Sequence, residues 1–310
     1  MLQTEPATMK AVRFDHYGDI DVLQVVDVPI PDPAPGQVRL KVKAASINPG
    51  EASIRKGLLH TRFPASFPSG EGSDFAGVVI KVGADVTGFS SGDELIGFTN
   101  FRASHAEYVI AEAQNLIKKP LNVPWEVAGA LPVAGSTAYA AVRAVSLKAG
   151  DTVVVSGAAG GVGSIAVQLA KRTGAEVIGI AGPSNHAWLN AHGVKPLAYG
   201  DDLSDRLRAV GVTAFIDTHG HGYVKLAIDL GIDPARTNTI IDFDAAKQYG
   251  TKAEGSQSAM NAAVLEELAQ LLASGDLEIP IAATYPLAEV RSAFRQLEQG
   301  HTHGKIVLTD

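Results

Sequence analysis

Hydrophobic and polar positions follow two different rhythms along this chain. Residues 37–45 (QVRLKVKAA) set Val38, Leu40 and Val42 on one face and Arg39, Lys41 and Lys43 on the other, the period-two pattern of a half-buried strand. Further short strands are predicted at 9–14, 22–28, 75–82, 93–98 and 106–110, separated by turns rich in Gly and Pro. Pro29, Pro31, Pro33 and Pro35 interrupt the pattern after the second strand, and Asn48-Pro49-Gly50 reads as a loop. The first part of the chain is therefore β-rich.

Near Pro124 the rhythm changes. Residues 125–145 are Ala-rich and predict helices around an internal Pro132. Apolar strands then alternate with helical stretches: strands at 151–156, 176–181, 196–199, 213–217 and 237–242, helices at 165–172, 186–191, 203–210 and 223–230. Such alternation predicts an α/β fold, a doubly wound parallel sheet covered on both faces. Residues 252–258 read as a polar loop. Val264, Leu265, Leu268, Leu271 and Leu272 give 259–273 a helical spacing, and a strand at 279–285, a helix at 287–299 and a strand at 305–308 close the chain.

Composition narrows the class. A chain of 310 residues is a prior for two domains, and 46% hydrophobic with 19% charged residues is globular. A net charge of −7 argues against nucleic acid as a partner. The absence of Cys excludes disulfides, thiolate nucleophiles and zinc sites built on Cys. The opening MLQTEPAT carries Glu5 and Pro6 and lacks the apolar core of a signal peptide. The uncharged run 152–170 contains Gly157, Gly160, Gly161 and Gly163, so it reads as strand, turn and helix rather than a bilayer span. The expected location is the cytoplasm, with no membrane partner.

The most specific motif is VVVSGAAGGVGSIAVQLAK, residues 153–171. On the G-x-G-x-x-G frame it sets Ala158, Gly160 and Gly163 between a buried strand and a helix, the context a dinucleotide site requires. Gly160 lets backbone approach a pyrophosphate, Gly163 lets helix and strand pack closely, and the helix start offers free N–H groups to phosphate. After the next strand comes Ala181-Gly182-Pro183-Ser184-Asn185-His186, with no Asp or Glu for a ribose 2′-OH. That favours NADP over NAD. Ser184 and Asn185 suit a 2′-phosphate and equally suit capping of the following helix.

Together with MKAVRF at Met9, VKAASINPGEASIRKG at Val42, GSDFAGVVIKVG at Gly72, ALPVAGSTAYAAV at Ala130 and GKIVL at Gly304, these motifs resemble the medium-chain dehydrogenase/reductase superfamily. More narrowly they resemble its zinc-independent quinone oxidoreductase (zeta-crystallin-like) branch. The resemblance implies a GroES-like catalytic domain from residues 1–126 and 259–310 around a Rossmann domain at 127–258. Relative to the zinc alcohol dehydrogenases, Asn48 stands at the first zinc ligand and Gly72-Ser73-Asp74 at the Gly-His-Glu segment, so no metal site is expected.

The chemistry the resemblance implies is hydride transfer from NADPH to a quinone or an α,β-unsaturated carbonyl compound. An enoyl-thioester reductase, or a crystallin-like or RNA-associating NADPH-binding protein of low turnover, is the alternative. Candidate catalytic residues are Asn48, a neutral donor; Thr137, in GSTAY, a segment that the resemblance implies lies beside the nicotinamide; and Tyr17, in the HYGD turn. Tyr108 fits either the acceptor cleft or the core. Candidate cofactor-binding residues are Ala158, Gly160, Gly161, Val162, Gly163, Gly182, Ser184, Asn185, His186, His219, Phe243 and Lys305. His219 and His221 follow the strand at 213–217, on the cofactor edge of the sheet. His301 and His303, two apart with no third ligand near, read as a polar turn. Glu51 and Asp74 form a conceivable acid–base pair, but nothing in the sequence brings them together. A homodimer is expected by resemblance.

Overall fold

The computed structural model describes residues 7–310; the expectation for the opening segment falls mainly on residues 1–6, outside them. Five parallel strands form one sheet in the order Lys195–Leu197, Glu176–Ile180, Thr152–Val155, Ala214–Asp217 and Thr237–Thr239. Val153, Val154 and Val155 are fully buried, as a strand covered on both faces requires. The sheet grows to one side of Thr152–Val155 and then to the other. This switch point leaves a crevice beyond the carboxyl ends of Thr152–Val155 and Ala214–Asp217.

A seven-stranded sheet draws on both chain ends. Lys305–Thr309 pairs antiparallel with Gln37–Ser46, Leu308 opposite Ala45, and Ile281–Pro286 lies outside it. Gln37–Ser46 also pairs with Asp74–Val82 and with Tyr108–Glu112. Glu94–Phe98 and the unforeseen Leu116–Lys118 complete this sheet, while Thr8–Phe14 pairs with Gln24–Pro29 and with the two residues Ser69–Gly70.

Several boundaries differ from expectation. Residues 125–145 form one helix, Trp125–Ala144, that continues through Pro132. Pro132 cannot donate a backbone hydrogen bond, and the next N–H, of Val133, donates to Asp74 Oδ2 at 3.2 Å. Gly129 in this helix packs on the seven-stranded sheet; a Cβ there would lie 2.6 Å from Ala44 O. The segment read as a loop after Asn48 is a helix, Pro49–Arg55, with Pro at its start and Glu51 accepting from Asn48 N–H at 2.8 Å. The polar loop contains a short helix, Ser256–Ala259, and the strand expected to reach residue 242 stops at Thr239, where Asp242 caps a helix Phe243–Tyr249.

Candidate active site

The strand Thr152–Val155 ends in the glycine loop. Gly157 has φ +59°, and Ala158 N–H reaches across to Ile180 O at 3.0 Å. A Cβ on Gly163 would lie 2.1 Å from Gly157 O, so the helix Gly163–Arg172 starts in contact with the loop backbone. A Cβ on Gly160 would meet only Gly157 O, at 3.3 Å. The protein's own packing thus demands Gly163 but hardly demands Gly160. The space over Gly160 is a cradle that a dinucleotide backbone fits.

Buried Asp217 organises the facing edge. It accepts from Ser156 Oγ (2.6 Å), Thr239 Oγ1 (2.8 Å), Gly220 N–H (2.9 Å) and His219 N–H (3.0 Å). The His219 and His221 rings lie 4.9 Å apart. At the loop after Glu176–Ile180, Ser184 is exposed, and Asn185 makes no side-chain bond to the helix it precedes, so the capping role falls away. The His186 ring bonds back to Ala181 O (3.1 Å). Tyr199, unremarked in the sequence, sets its hydroxyl 3.5 Å from where a Gly182 Cβ would stand. Phe243 is covered by the Arg62 guanidinium at 4.7 Å, and Arg62 Nη2 also donates to Gln257 at 3.0 Å.

Lys305 joins this cradle to the other side of the site. Gly304 N–H donates to Ala159 O (2.9 Å), and the Lys305 stem runs under Gly161, whose Cβ would lie 2.8 Å from Lys305 Cδ. Its ammonium donates to Asn48 Oδ1 (2.5 Å) and Ile47 O (3.0 Å). Asn48 Nδ2 in turn donates to Glu51 Oε1 and Asp74 Oδ1, both at 3.2 Å. Glu51 and Asp74 therefore meet after all, on one amide. Ser46 Oγ donates to Asp74 at 2.9 Å, and the His105 ring, 3.0 Å from Ser46 O, lies 3.9 Å from Glu51. Glu71 is buried behind them.

This geometry changes the reading of Asn48. Both amide protons go to carboxylates and its oxygen to Lys305, so it is the hub of a buried network rather than an open donor. Thr137 is similarly engaged, its hydroxyl donating to Val133 O at 2.6 Å. The Tyr17 hydroxyl accepts from Ala65 N–H (2.9 Å), and its ring packs edge-on against Phe67. Tyr108 lies in its strand beside Arg39, a core-edge position. The His303 ring packs against Trp188.

Burial controls the protons here. It pushes Asp74 up to about 6 against the pull of Lys305, raises Glu51 and Glu71, lowers Lys305, and lowers His105 to about 4. Because the folded value for Asp74 exceeds its ordinary 3.8, its stabilising contribution is complete below that pH and is lost as pH rises through about 6. His105 acts in the opposite sense: its contribution is complete above its ordinary 6.5 and is lost as pH falls through about 4. Asp74→Asn should therefore gain stability relative to the native chain between about pH 4 and about pH 7. Urea midpoints across that range check it; a pH-independent difference contradicts the assignment.

The chain matches a family model described as alcohol dehydrogenase GroES-like domain over residues 34–121 and one described as zinc-binding dehydrogenase over residues 203–308. It is 32% identical to the 2-methylene-furan-3-one reductase of Solanum lycopersicum, over 98% of this chain and 79% of that protein. It is 31% identical to the chloroplastic NADPH-dependent alkenal/one oxidoreductase of Arabidopsis thaliana, over 98% of this chain and 80% of that protein. The solved quinone oxidoreductase of Coxiella burnetii matches with a TM-score of 0.88 at 35% identity, over 98% of this chain and 99% of that one. The chain belongs to the medium-chain dehydrogenase/reductase superfamily, in its quinone oxidoreductase branch. This medium-chain dehydrogenase/reductase is an oxidoreductase of a family that binds nicotinamide cofactors. Among its described residues no group of three or more His, Cys, Asp or Glu could hold a metal ion, and no helix is long and apolar enough to cross a membrane.

Proposed function

We propose that the chain is an NADPH-dependent, zinc-independent reductase that passes hydride to quinones or α,β-unsaturated carbonyl compounds. The observation that carries this reading is the junction at Lys305. One side chain lies under the glycine loop and binds Asn48, so the cofactor cradle and Asn48 belong to one site. The named acceptors of the relatives, quinones and alkenals or enones, support the acceptor class.

A reduced nicotinamide bound in the cradle would supply a hydride from C4. The N–H groups of Gly161, Val162 and Gly163 at the helix start would hold the pyrophosphate, with Ala158 and Gly160 leaving it room. Gly182, Ser184, Asn185 and His186, with Tyr199 beside them, would receive the ribose 2′ end. His219 and Phe243 would hold the nicotinamide half, and Arg62 over Phe243 would help exclude water. Asn48 and Lys305 fix each other between cradle and acceptor, and Thr137 shapes the wall. The Tyr17 hydroxyl keeps a proton to donate. A conjugated acceptor spreads the arriving charge through its π system, so hydrogen bonding suffices to stabilise it without a Lewis acid. The division at 126/127 and 258/259, a cytoplasmic location and a homodimer belong to the same reading.

The cofactor choice has its own test. Gly182→Asp places a carboxylate where a 2′-phosphate would sit and a ribose 2′-OH could bond to it. The ratio of NADPH to NADH turnover should fall at least about tenfold, a shift of about 1.4 kcal/mol. An unchanged ratio would put the 2′ pocket elsewhere.

A further inference from the structure

Six arginines among the described residues are buried or half-buried: Arg13, Arg39, Arg55, Arg102, Arg206 and Arg236. Four have a carboxylate within 3.3 Å: Arg39 with Asp32, Arg55 with Glu298, Arg206 with Asp202, and Arg236 with Asp151. The two without one, Arg13 and Arg102, line the same open cleft of about 370 Å³.

The strand pairing brings these two residues side by side at Gly70. Arg13 stands opposite Gly70 in the ladder, and a Cβ on Gly70 would lie 2.9 Å from Arg13 Nη1 and 2.0 Å from Arg102 O. Arg13 Nη1 donates to Val12 O (2.9 Å) and Arg102 Nη2 to Phe63 O (3.1 Å). A guanidinium has five N–H donors, so each retains several. Arg102 has φ +50°, a left-handed conformation that a non-glycine residue keeps only when its surroundings enforce it. Burial also holds the Arg13 guanidinium below its ordinary value. Buried Glu71, pushed up by burial and by Glu51, is drawn down by Arg55 and Arg102 but forms no ion pair with Arg102. Among the described residues no carboxylate lies within ion-pair distance of either guanidinium, an unfavourable position for a partly desolvated cation in a chain that carries an excess of acid.

We propose that the Arg13–Arg102 cleft binds the anionic group of a small organic molecule: a phosphate, sulfonate or carboxylate. A guanidinium fork can bond two oxygens of such a group at once. Ser66 and Asn100 line the same cleft and add neutral donors, and Phe101, 57% exposed, offers an apolar face to the rest of the ligand. The volume lies in the range of small-molecule sites. The anion belongs either to the acceptor itself or to a separate ligand.

Titration of the ¹⁵N-labelled full chain with inorganic phosphate tests the site. Saturable shifts should appear at the amides of Gly70, Phe101 and Arg102. Arg13→Gln and Arg102→Gln should each weaken them about tenfold or more, while any shifts in the glycine loop persist. Asn100→Asp, on the exposed rim, adds a repelling carboxylate and should weaken them without disturbing a buried group. The absence of saturable shifts, or affinity unchanged in all three variants, overturns the proposal. Steady-state kinetics then separate the two sources. If the anion is part of the acceptor, Arg102→Gln raises KM for a naphthoquinone sulfonate but not for 1,4-naphthoquinone; if it is a separate ligand, phosphate binding is lost with both KM values unchanged. The phosphate arm requires no turnover, so its result stands apart from the reductase reading.

Discussion

Gly160→Asp should abolish dinucleotide binding while leaving the fold intact. Only one atom, Gly157 O at 3.3 Å, meets a Cβ at this position, so the substitution demands little of the protein. The carboxylate instead enters the phosphate cradle, where it repels the pyrophosphate and competes for the free N–H groups of the helix start. Fluorescence titration should show NADPH binding weakened by at least about 100-fold, about 2.7 kcal/mol. The urea midpoint should stay near that of the native chain. Gly163→Ala, by contrast, should lower the urea midpoint: its Cβ meets Gly157 O at 2.1 Å, and overpacking against backbone destabilises by about 1–3 kcal/mol. Native-like NADPH affinity in Gly160→Asp would remove the proposed cradle.

Lys305→Met should be the most destabilising single change at the site. The methionine replaces the stem, but Glu51 and Asp74 lose the ammonium that compensates them, and Asn48 Oδ1 and Ile47 O lose their donor. Breaking a buried charge network by removing one partner costs about 3–5 kcal/mol. Loss of turnover should accompany it, because Asn48 is no longer held against the cofactor loop. Adding Asp74→Asn removes a charge that Lys305 compensated, so the double variant should be more stable than Lys305→Met alone. A cost below about 1 kcal/mol for Lys305→Met, or no recovery in the double variant, would show that the four side chains do not act as a unit.

The parts legible in the sequence are those written locally. Val153–Val155 and Ala214–Asp217 read as strands because both faces are buried and their residues are almost wholly apolar. The glycine loop was legible because strand, turn and helix follow one another within twenty residues or so. The helix Pro49–Arg55 carries a local signal too, Asn-Pro-Gly-Glu, but it is ambiguous, because Pro and Gly mark loops while Pro is also favoured at a helix start. The buried network left no such trace. Lys305 and Asn48 are 257 positions apart, and Asp74 lies 26 positions from Asn48. No periodicity encodes that three distant segments converge on one amide. For the same reason Asn48 reads as a free donor: Asp74 is distant in the chain, and Glu51 comes within reach only because residues 49–55 coil into a helix.

The most direct test is the oxidation of NADPH and NADH by the purified chain, with 1,4-naphthoquinone, an enone and a simple aldehyde as acceptors, each with and without a chelator. The account predicts NADPH turnover with the quinone or the enone, faster than with NADH and indifferent to the chelator. Turnover confined to the aldehyde and abolished by the chelator would contradict it.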